Sequence, residues 1–106
     1  MTPLILIEFN ELSPRLLERF MAAGQLPNFQ KFYAASSVYI TDAQEQPPNL
    51  EPWIQWPTVH SGLTYEEHGV FDLGDGRNEQ RKYVAEVLSD AGLRVGVFNC
   101  SSVRTR

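Results

Sequence analysis

The chain has 106 residues, a formal net charge of −4 and one cysteine. Its length fits one small domain, and 42% hydrophobic with 21% charged residues is the composition of a folded globule. One cysteine excludes an internal disulfide and a four-thiolate zinc site. The acidic balance argues against a nucleic-acid partner. No apolar run approaches the roughly 20 residues that span a bilayer, and the first residues lack the basic start of a signal peptide. We therefore expect no membrane partner and a cytoplasmic location.

Hydrophobic spacing and turn residues divide the chain into alternating strands and helices. The uninterrupted apolar run from Leu4 to Ile7 is typical of a strand covered on both faces. Ser13 is a favourable N-cap and Pro14 suits the first helical position. In the first half of the chain we expect a buried strand over 3–9, a helix over 14–23, a short helix ending near Ser36, a half-exposed strand over 37–41 and a loop over 42–52. A helix within 53–63 follows, which Pro57 kinks or starts, and then a loop over 65–76. The chain ends with a helix from Asn78 to about Ala91, a buried strand over 93–98 and an irregular tail over 99–106.

This order predicts an α/β chain with helices on both faces of a sheet. Only three strands are expected, whereas sheets of this class hold about 4–6. Three apolar strands leave edges open to pairing with further strands. We therefore expect either a part of a larger domain or self-association through open sheet edges; a compact three-stranded domain is the alternative.

The middle of the chain is rich in acids and lacks cationic side chains. Between Phe32 and Gly76 there is no lysine or arginine, and both histidines lie there. The acids of this stretch are Asp42, Glu45, Glu51, Glu66, Glu67, Asp72 and Asp75. Clustered acids repel one another unless they are solvated or neutralised by a cation. They indicate either a metal or phosphate-processing site or a set of solvated loop acids, and for Glu51 the two interpretations stay equally open.

A second candidate site follows the first predicted strand. Ligands of open α/β sheets bind beyond the carboxyl ends of the strands, and strand alternation sends Glu8 and Asn10 to the same side. These two residues are therefore candidate metal or substrate ligands. The alternative is that Asn10 organises the turn and that Glu8 pairs with a nearby arginine.

The remaining polar residues of the middle stretch favour structural roles. His60 lies on an apolar helical stripe, which predicts a packed histidine. His68 precedes Gly69 in a turn, where we expect it to tie the loop down. Thr58 is a hydroxyl without an evident base beside it, and a nucleophile needs a base or a metal. A small metal site built from His60, His68 and Asp72 is a further, weaker alternative.

Four segments occur in an order that resembles a known family. They are LILIEFNELSPRLL at 4–17, LPNF at 26–29, SGLTYEEHGV at 61–70 and AGLRVGV at 91–97. Together they resemble the N-terminal portion of the type I phosphodiesterase/nucleotide pyrophosphatase family of the alkaline phosphatase superfamily. The resemblance implies a partial three-layer α/β/α domain with a mostly parallel sheet over 1–98. It also implies a metal-dependent hydrolase of phosphoric esters that acts on a phosphate-ester or nucleotide-like small molecule.

The resemblance assigns roles to a few residues. The family's first metal ligand falls on Asn10, so Asn10 with Glu8 or Glu51 would help to hold a divalent cation, zinc or manganese, in a complete relative. The family's nucleophile position falls on Pro52, beside Glu51, and the nearest hydroxyl is Thr58. Glu51 and Thr58 would therefore stand near the attacked phosphorus.

The family's other metal ligands have no counterpart in this sequence. The polar ending after the last predicted strand indicates truncation or a shifted reading frame. We therefore expect this chain to be inactive by itself, and we expect the divalent metal of a complete relative to be absent from it. The alternative function is a non-catalytic binding or assembly module that uses exposed sheet edges, or Trp53 and Trp56, to contact partners.

Overall fold

A computed structural model describes residues 3–75 and 81–100 of the chain. Within these residues lie the helices α1 Pro14–Ala22, α2 Pro27–Ala34, α3 Pro52–Ser61, α4 Tyr65–His68 and α5 Val84–Asp90. The chain divides into two compact units, Met1–Asp42 and Ala43–Arg106. The first unit holds α1 and α2, and the second holds α3, α4 and α5.

Helices α1 and α2 contact each other in the first unit. The Ser13 hydroxyl accepts a hydrogen bond from the Leu16 N–H at 3.4 Å, and Pro14 opens α1 as the sequence predicts. The helix ends at Ala22, and Gly24 follows with φ +72°. Met21 is the buried side chain of this helix pair. The bounds of α1 confirm the predicted helix over 14–23 to within one residue, since local signals in the sequence mark where this helix begins and ends.

The second unit is built around α3, which contacts both α4 and α5. Glycines in the left-handed conformation end two of its helices, Gly62 after α3 and Gly69 after α4. Each lets the chain turn sharply where an L side chain would be strained. The buried residues of this unit are Ile54, Pro57, His60, His68, Val70 and Tyr83. The core is therefore small and contains two imidazole rings.

The predicted α/β fold with a mostly parallel sheet is wrong, since residues 3–75 and 81–100 contain no strand. The three segments expected as strands, 3–9, 37–41 and 93–98, have no regular secondary structure. Leu4 to Ile7, expected to be buried on both faces, are 68–87% exposed, and Phe98 is 93% exposed. An apolar run favours a strand only where a neighbouring strand accepts its hydrogen bonds, and the described part of the chain supplies none.

Two helix predictions also need correction. The stretch 65–76, expected to be a loop, begins with the single-turn helix α4. Of the two roles predicted for Pro57, the start of the helix is wrong, because α3 begins at Pro52 and continues through Pro57 to Ser61. Pro57 has no N–H to give to the carbonyl of the preceding turn, and its ring is buried in the core of the unit instead.

The last predicted helix is present but shorter than expected. It begins at Val84, where the Glu86 carboxylate accepts from the Tyr83 N–H at 3.1 Å. The expected cap at Asn78 lies outside the described residues, as does the tail after Cys100. Tyr83 is buried, whereas Val84 and Val87 on the helix are exposed.

The end of α3 gives a first test of this fold. Gly62 has φ +71°, and a Cβ built on it meets nothing within 4 Å. Gly62→Ala should therefore lower the free energy of unfolding by about 1–2 kcal/mol through backbone strain alone. Urea denaturation followed by circular dichroism measures this change. Gly74→Ala is the matched control, because Gly74 also has open space around its Cβ position but does not have a left-handed φ. Equal stability of the two variants would contradict the left-handed turn.

Candidate functional site

Helix α3 carries both residues that the resemblance places near a substrate. Glu51 precedes the helix, and its carbonyl accepts from the N–H groups of Ile54 and Gln55 at 2.9 and 3.0 Å. The Glu51 side chain is exposed and makes no capping hydrogen bond. Thr58 lies seven residues later, on the same face and about 10 Å further along the helix axis. Glu51 thus starts the helix through its backbone, while Thr58 sits in the packed part of the unit.

The Thr58 hydroxyl is held between two helices. Its Oγ1 lies 3.0 Å from Nε2 of His68 and 3.5 Å from the Ile54 carbonyl oxygen. On the other side of the imidazole ring, Nδ1 of His68 accepts from the Val70 N–H at 3.0 Å. His68 is 3% exposed. The ring therefore bridges α3 to the backbone that follows α4.

The backbone contact fixes the direction of the other hydrogen bonds. An amide N–H can only donate, so Nδ1 of His68 must present its lone pair to Val70. In the neutral ring the proton then resides on Nε2, which donates to Thr58 Oγ1. The Thr58 hydroxyl in turn donates to the Ile54 carbonyl. We call the chain of contacts Val70–His68–Thr58–Ile54 the histidine bridge.

The histidine bridge does not activate Thr58 as a nucleophile. A general base needs a lone pair on the nitrogen that faces the hydroxyl, whereas Nε2 faces Thr58 with its proton. Both ring nitrogens of His68 are also in use, so neither has a lone pair to give to a metal ion. The prediction that His68 ties down the turn before Gly69 is confirmed. The contact between His68 and Thr58 was not predicted from the sequence.

His60 packs among aromatic rings in the same unit. It is 4% exposed and stacks on Trp56, with 5.5 Å between ring centroids and an interplanar angle of 25°. The ring centroid of Tyr83, the residue that immediately precedes α5, lies 6.2 Å from that of His60. The expectation of a packed histidine on an apolar stripe is confirmed. This arrangement also draws Trp56 into the interior as a half-buried residue.

Several acids of the cation-free stretch are engaged by local backbone groups. Asp75 accepts from the N–H groups of Phe71 and Asp72 at 3.0 and 2.9 Å. Glu45 accepts from the Asn49 side-chain amide at 3.2 Å. These contacts form turns within single segments, so they favour the interpretation of structural loop acids for this part of the stretch.

Glu67 is the acid with a clear electrostatic environment. Its carboxylate accepts from the Thr64 N–H at 2.8 Å in a capping box at the start of α4. This backbone hydrogen bond, helped by the Thr64 hydroxyl and by the charge of Arg81, holds the pKa of Glu67 below its ordinary value. Glu67 therefore stabilises the helix start in its charged form.

The other pair of predicted ligands lies in the first unit. Glu8 is half-buried near the end of the segment 3–9, and Asn10 begins a turn. The next residue, Glu11, has φ +56°, a left-handed conformation that reverses the chain before α1. Glu8 and Asn10 are thus two residues apart in one unit, while Glu51 and Thr58 belong to the other.

The metal expected from the resemblance finds no ready set of ligands here. Among residues 3–75 and 81–100, no group of three or more histidine, cysteine, aspartate or glutamate side chains is placed to hold an ion. The weaker alternative of a site from His60, His68 and Asp72 finds no support among these residues. The described residues do not fit a family-type divalent centre, and we derive no reaction step through one.

Comparison with known proteins adds no relative. No family model, no curated protein and no solved structure matches this chain. Over the described residues, no helix has the length and apolar character that a bilayer crossing requires. The function must therefore be argued from the residues themselves.

The histidine bridge makes a stability prediction. Thr58→Val keeps the shape of the side chain but leaves the buried Nε2–H of His68 without its acceptor, which should cost about 1–3 kcal/mol of unfolding free energy. Thr58→Ser retains the hydroxyl and should recover most of this loss. Urea unfolding of the three proteins at neutral pH measures both effects. If valine is as stable as threonine, the Thr58–His68 hydrogen bond does not support the unit.

Proposed function

We propose that this chain is a non-catalytic assembly module that associates with a second copy of itself through the apolar segment 3–9, which would pair as a strand in the assembly. The observation that carries the proposal is the run Leu4 to Ile7, four consecutive apolar side chains that are 68–87% exposed in a segment that is neither helix nor strand. Such a run offers both unpaired backbone groups and apolar surface to a partner strand. We place this assembly in the cytoplasm, where the single-cysteine composition is ordinary.

The sequence around this run favours a second copy paired antiparallel. With the two-fold axis between Ile5 and Leu6, Leu4 lies opposite Ile7 of the other copy, and Glu8 lies opposite Pro3. No like charges face each other in this register. Parallel pairing in register would set Glu8 against Glu8, which is unfavourable. The antiparallel pair is also a closed, two-fold contact of the kind that most homodimers use.

Two features limit this pairing to a short segment. Pro3 has no N–H to donate, so it ends the ladder on one side. On the other side, the turn at Asn10 and the left-handed Glu11 bend the chain away. The pairing residues are therefore the four apolar ones and their immediate neighbours. Main-chain hydrogen bonds would supply affinity, as in other cases of strand addition.

Analytical ultracentrifugation over a range of concentrations tests the proposal. We expect the wild-type chain to sediment as a dimer of the 12.1 kDa protomer. Ile5→Lys should shift it to the monomer, because a charge would be buried in the pair. Thr41→Lys adds the same charge at an exposed position of the segment 37–41 and should leave the dimer intact. A wild-type monomer at every concentration, or growth into open-ended fibres, would contradict the closed dimer.

The resemblance to type I phosphodiesterases supplies a second candidate, metal-dependent hydrolysis of phosphoric esters. The observation that favours it is the approach of a hydroxyl and an imidazole, Thr58 and His68, of which His68 lies in the segment 61–70 that carries the resemblance. The direction of that hydrogen bond argues against activation of the hydroxyl. We therefore propose that hydrolysis, if the lineage retains it, requires residues beyond those described here.

An activity assay separates the two candidates. With zinc or manganese added, we expect the chain to hydrolyse bis(p-nitrophenyl) phosphate no faster than its Glu51→Gln variant. Glu51 is exposed, so this variant should fold normally and report on chemistry alone. A rate that rises with metal and falls in Glu51→Gln would favour the hydrolase over the assembly module.

A further inference from the structure

We propose that the histidine bridge is a pH-sensitive latch, closed by the neutral ring of His68 and opened by its protonation. The inference concerns the second unit alone and does not depend on the proposed assembly. It rests on the hydrogen-bond directions around a buried ring. Nothing in it requires a metal ion or a ligand.

Protonation of His68 would replace the hydrogen bond between Nδ1 and the Val70 N–H by a repulsive contact between two donors. The imidazolium carries a proton on both nitrogens, so Nδ1–H would face the Val70 N–H at the 3.0 Å that now separates a donor from an acceptor. Two donors in contact repel, and the new charge would lie in a site that is 3% exposed. The Nε2–H to Thr58 contact would survive. The latch therefore opens on the side of Val70.

The opening would release a defined piece of the unit. Val70 is 3% exposed and follows Gly69, which ends α4. Tyr65 packs edge-on against both His68 and Phe71, at 6.2 and 4.8 Å between centroids. When the Val70 contact is lost, the segment 69–75 loses one of its ties to α4. Val70, the buried apolar residue of this segment, then becomes available to solvent, whereas Phe71 and Leu73 are exposed already.

Other titratable groups on the joined elements could act on the ring. They are His60 on α3, Tyr65, Glu66 and Glu67 on α4, and Asp72 and Asp75 in the following segment, with Lys82, Tyr83, Glu86 and Asp90 at or in α5. A carboxylate beside the ring would favour the imidazolium and oppose the latch. The Glu67 carboxylate accepts from Thr64, the Asp75 carboxylate accepts from Phe71 and Asp72, and Lys82 pairs with Asp90.

The latch has a pH window of its own. A histidine held neutral in the folded chain binds its proton more readily when the chain unfolds, so stability falls as pH drops through the histidine range, about pH 8 to 5. Glu67 affects stability at a lower pH than His68 does. Its pKa is lowered in the folded state, so its contribution is present above the ordinary carboxylate value and is lost as pH falls through the folded value.

The first measurement is the tautomer of His68 in the intact chain. Long-range ¹H–¹⁵N correlation spectra at neutral pH should show a protonated Nε2 and an unprotonated Nδ1. The same spectra on lowering the pH should show that protonation of Nδ1 coincides with a shift of the Val70 amide and with faster hydrogen exchange there, relative to its intrinsic rate. A neutral ring with its proton on Nδ1 would overturn the proposal.

The second measurement is the pH dependence of unfolding in urea. Uptake of one proton on unfolding lets the unfolding constant rise by up to about tenfold per pH unit as the pH falls below the ordinary histidine pKa of about 6.5. His68→Asn keeps an acceptor for the Val70 N–H but does not titrate, so its unfolding constant should change with pH less steeply than that of the wild type from about pH 8 to 5. His60→Phe keeps an aromatic ring beside Trp56 and should retain the wild-type slope.

The variants and the spectra together decide every case. If His60→Phe is flat and His68→Asn keeps the slope, the pH dependence belongs to His60 and the latch is wrong. If His68→Asn does not fold, the wild-type titration decides: protonation of Nδ1 with an unchanged Val70 amide would overturn the latch. Coincident changes at both sites would support it.

Discussion

A helix satisfies its backbone hydrogen bonds within itself, whereas a strand depends on a neighbour, and this difference governs the whole chain. The helices α1, α2 and α3 form from local signals: prolines at their first positions, and chain turns at their ends. The segments 3–9, 37–41 and 93–98 have the residue types of strands but nothing among the described residues to pair with. They have no regular secondary structure and expose apolar side chains that a sheet would bury.

The second unit shows how a small core can be held by polar contacts as well as apolar burial. Its helices are short, and α4 has a single turn that would not persist alone. What fixes this turn is the capping box at Thr64 and the histidine bridge at its end. A buried ring with both nitrogens used replaces apolar contacts that a chain of this size cannot supply. The cost is that stability then depends on one protonation state.

The sequence predicts local features of this protein far better than distant ones. The start of α1 was predictable from Ser13 and Pro14, and the packed character of His60 from its spacing on an apolar stripe. The sheet was not, because strand pairing depends on partners far away in sequence or on another chain. The contact between Thr58 and His68 was also out of reach, since it depends on how the turn at Gly62 brings α4 back to α3.

The exposed segment at Leu4 to Ile7 also bears on how long the protein survives in a cell. Proteases bind their substrates as extended strands, and an exposed stretch outside any helix needs no local unfolding before cleavage. The susceptibility of this segment is then independent of the stability of either helical unit. Pairing with a partner strand would remove it from attack. Assembly would thus set the lifetime of the chain, and unassembled copies would be removed first.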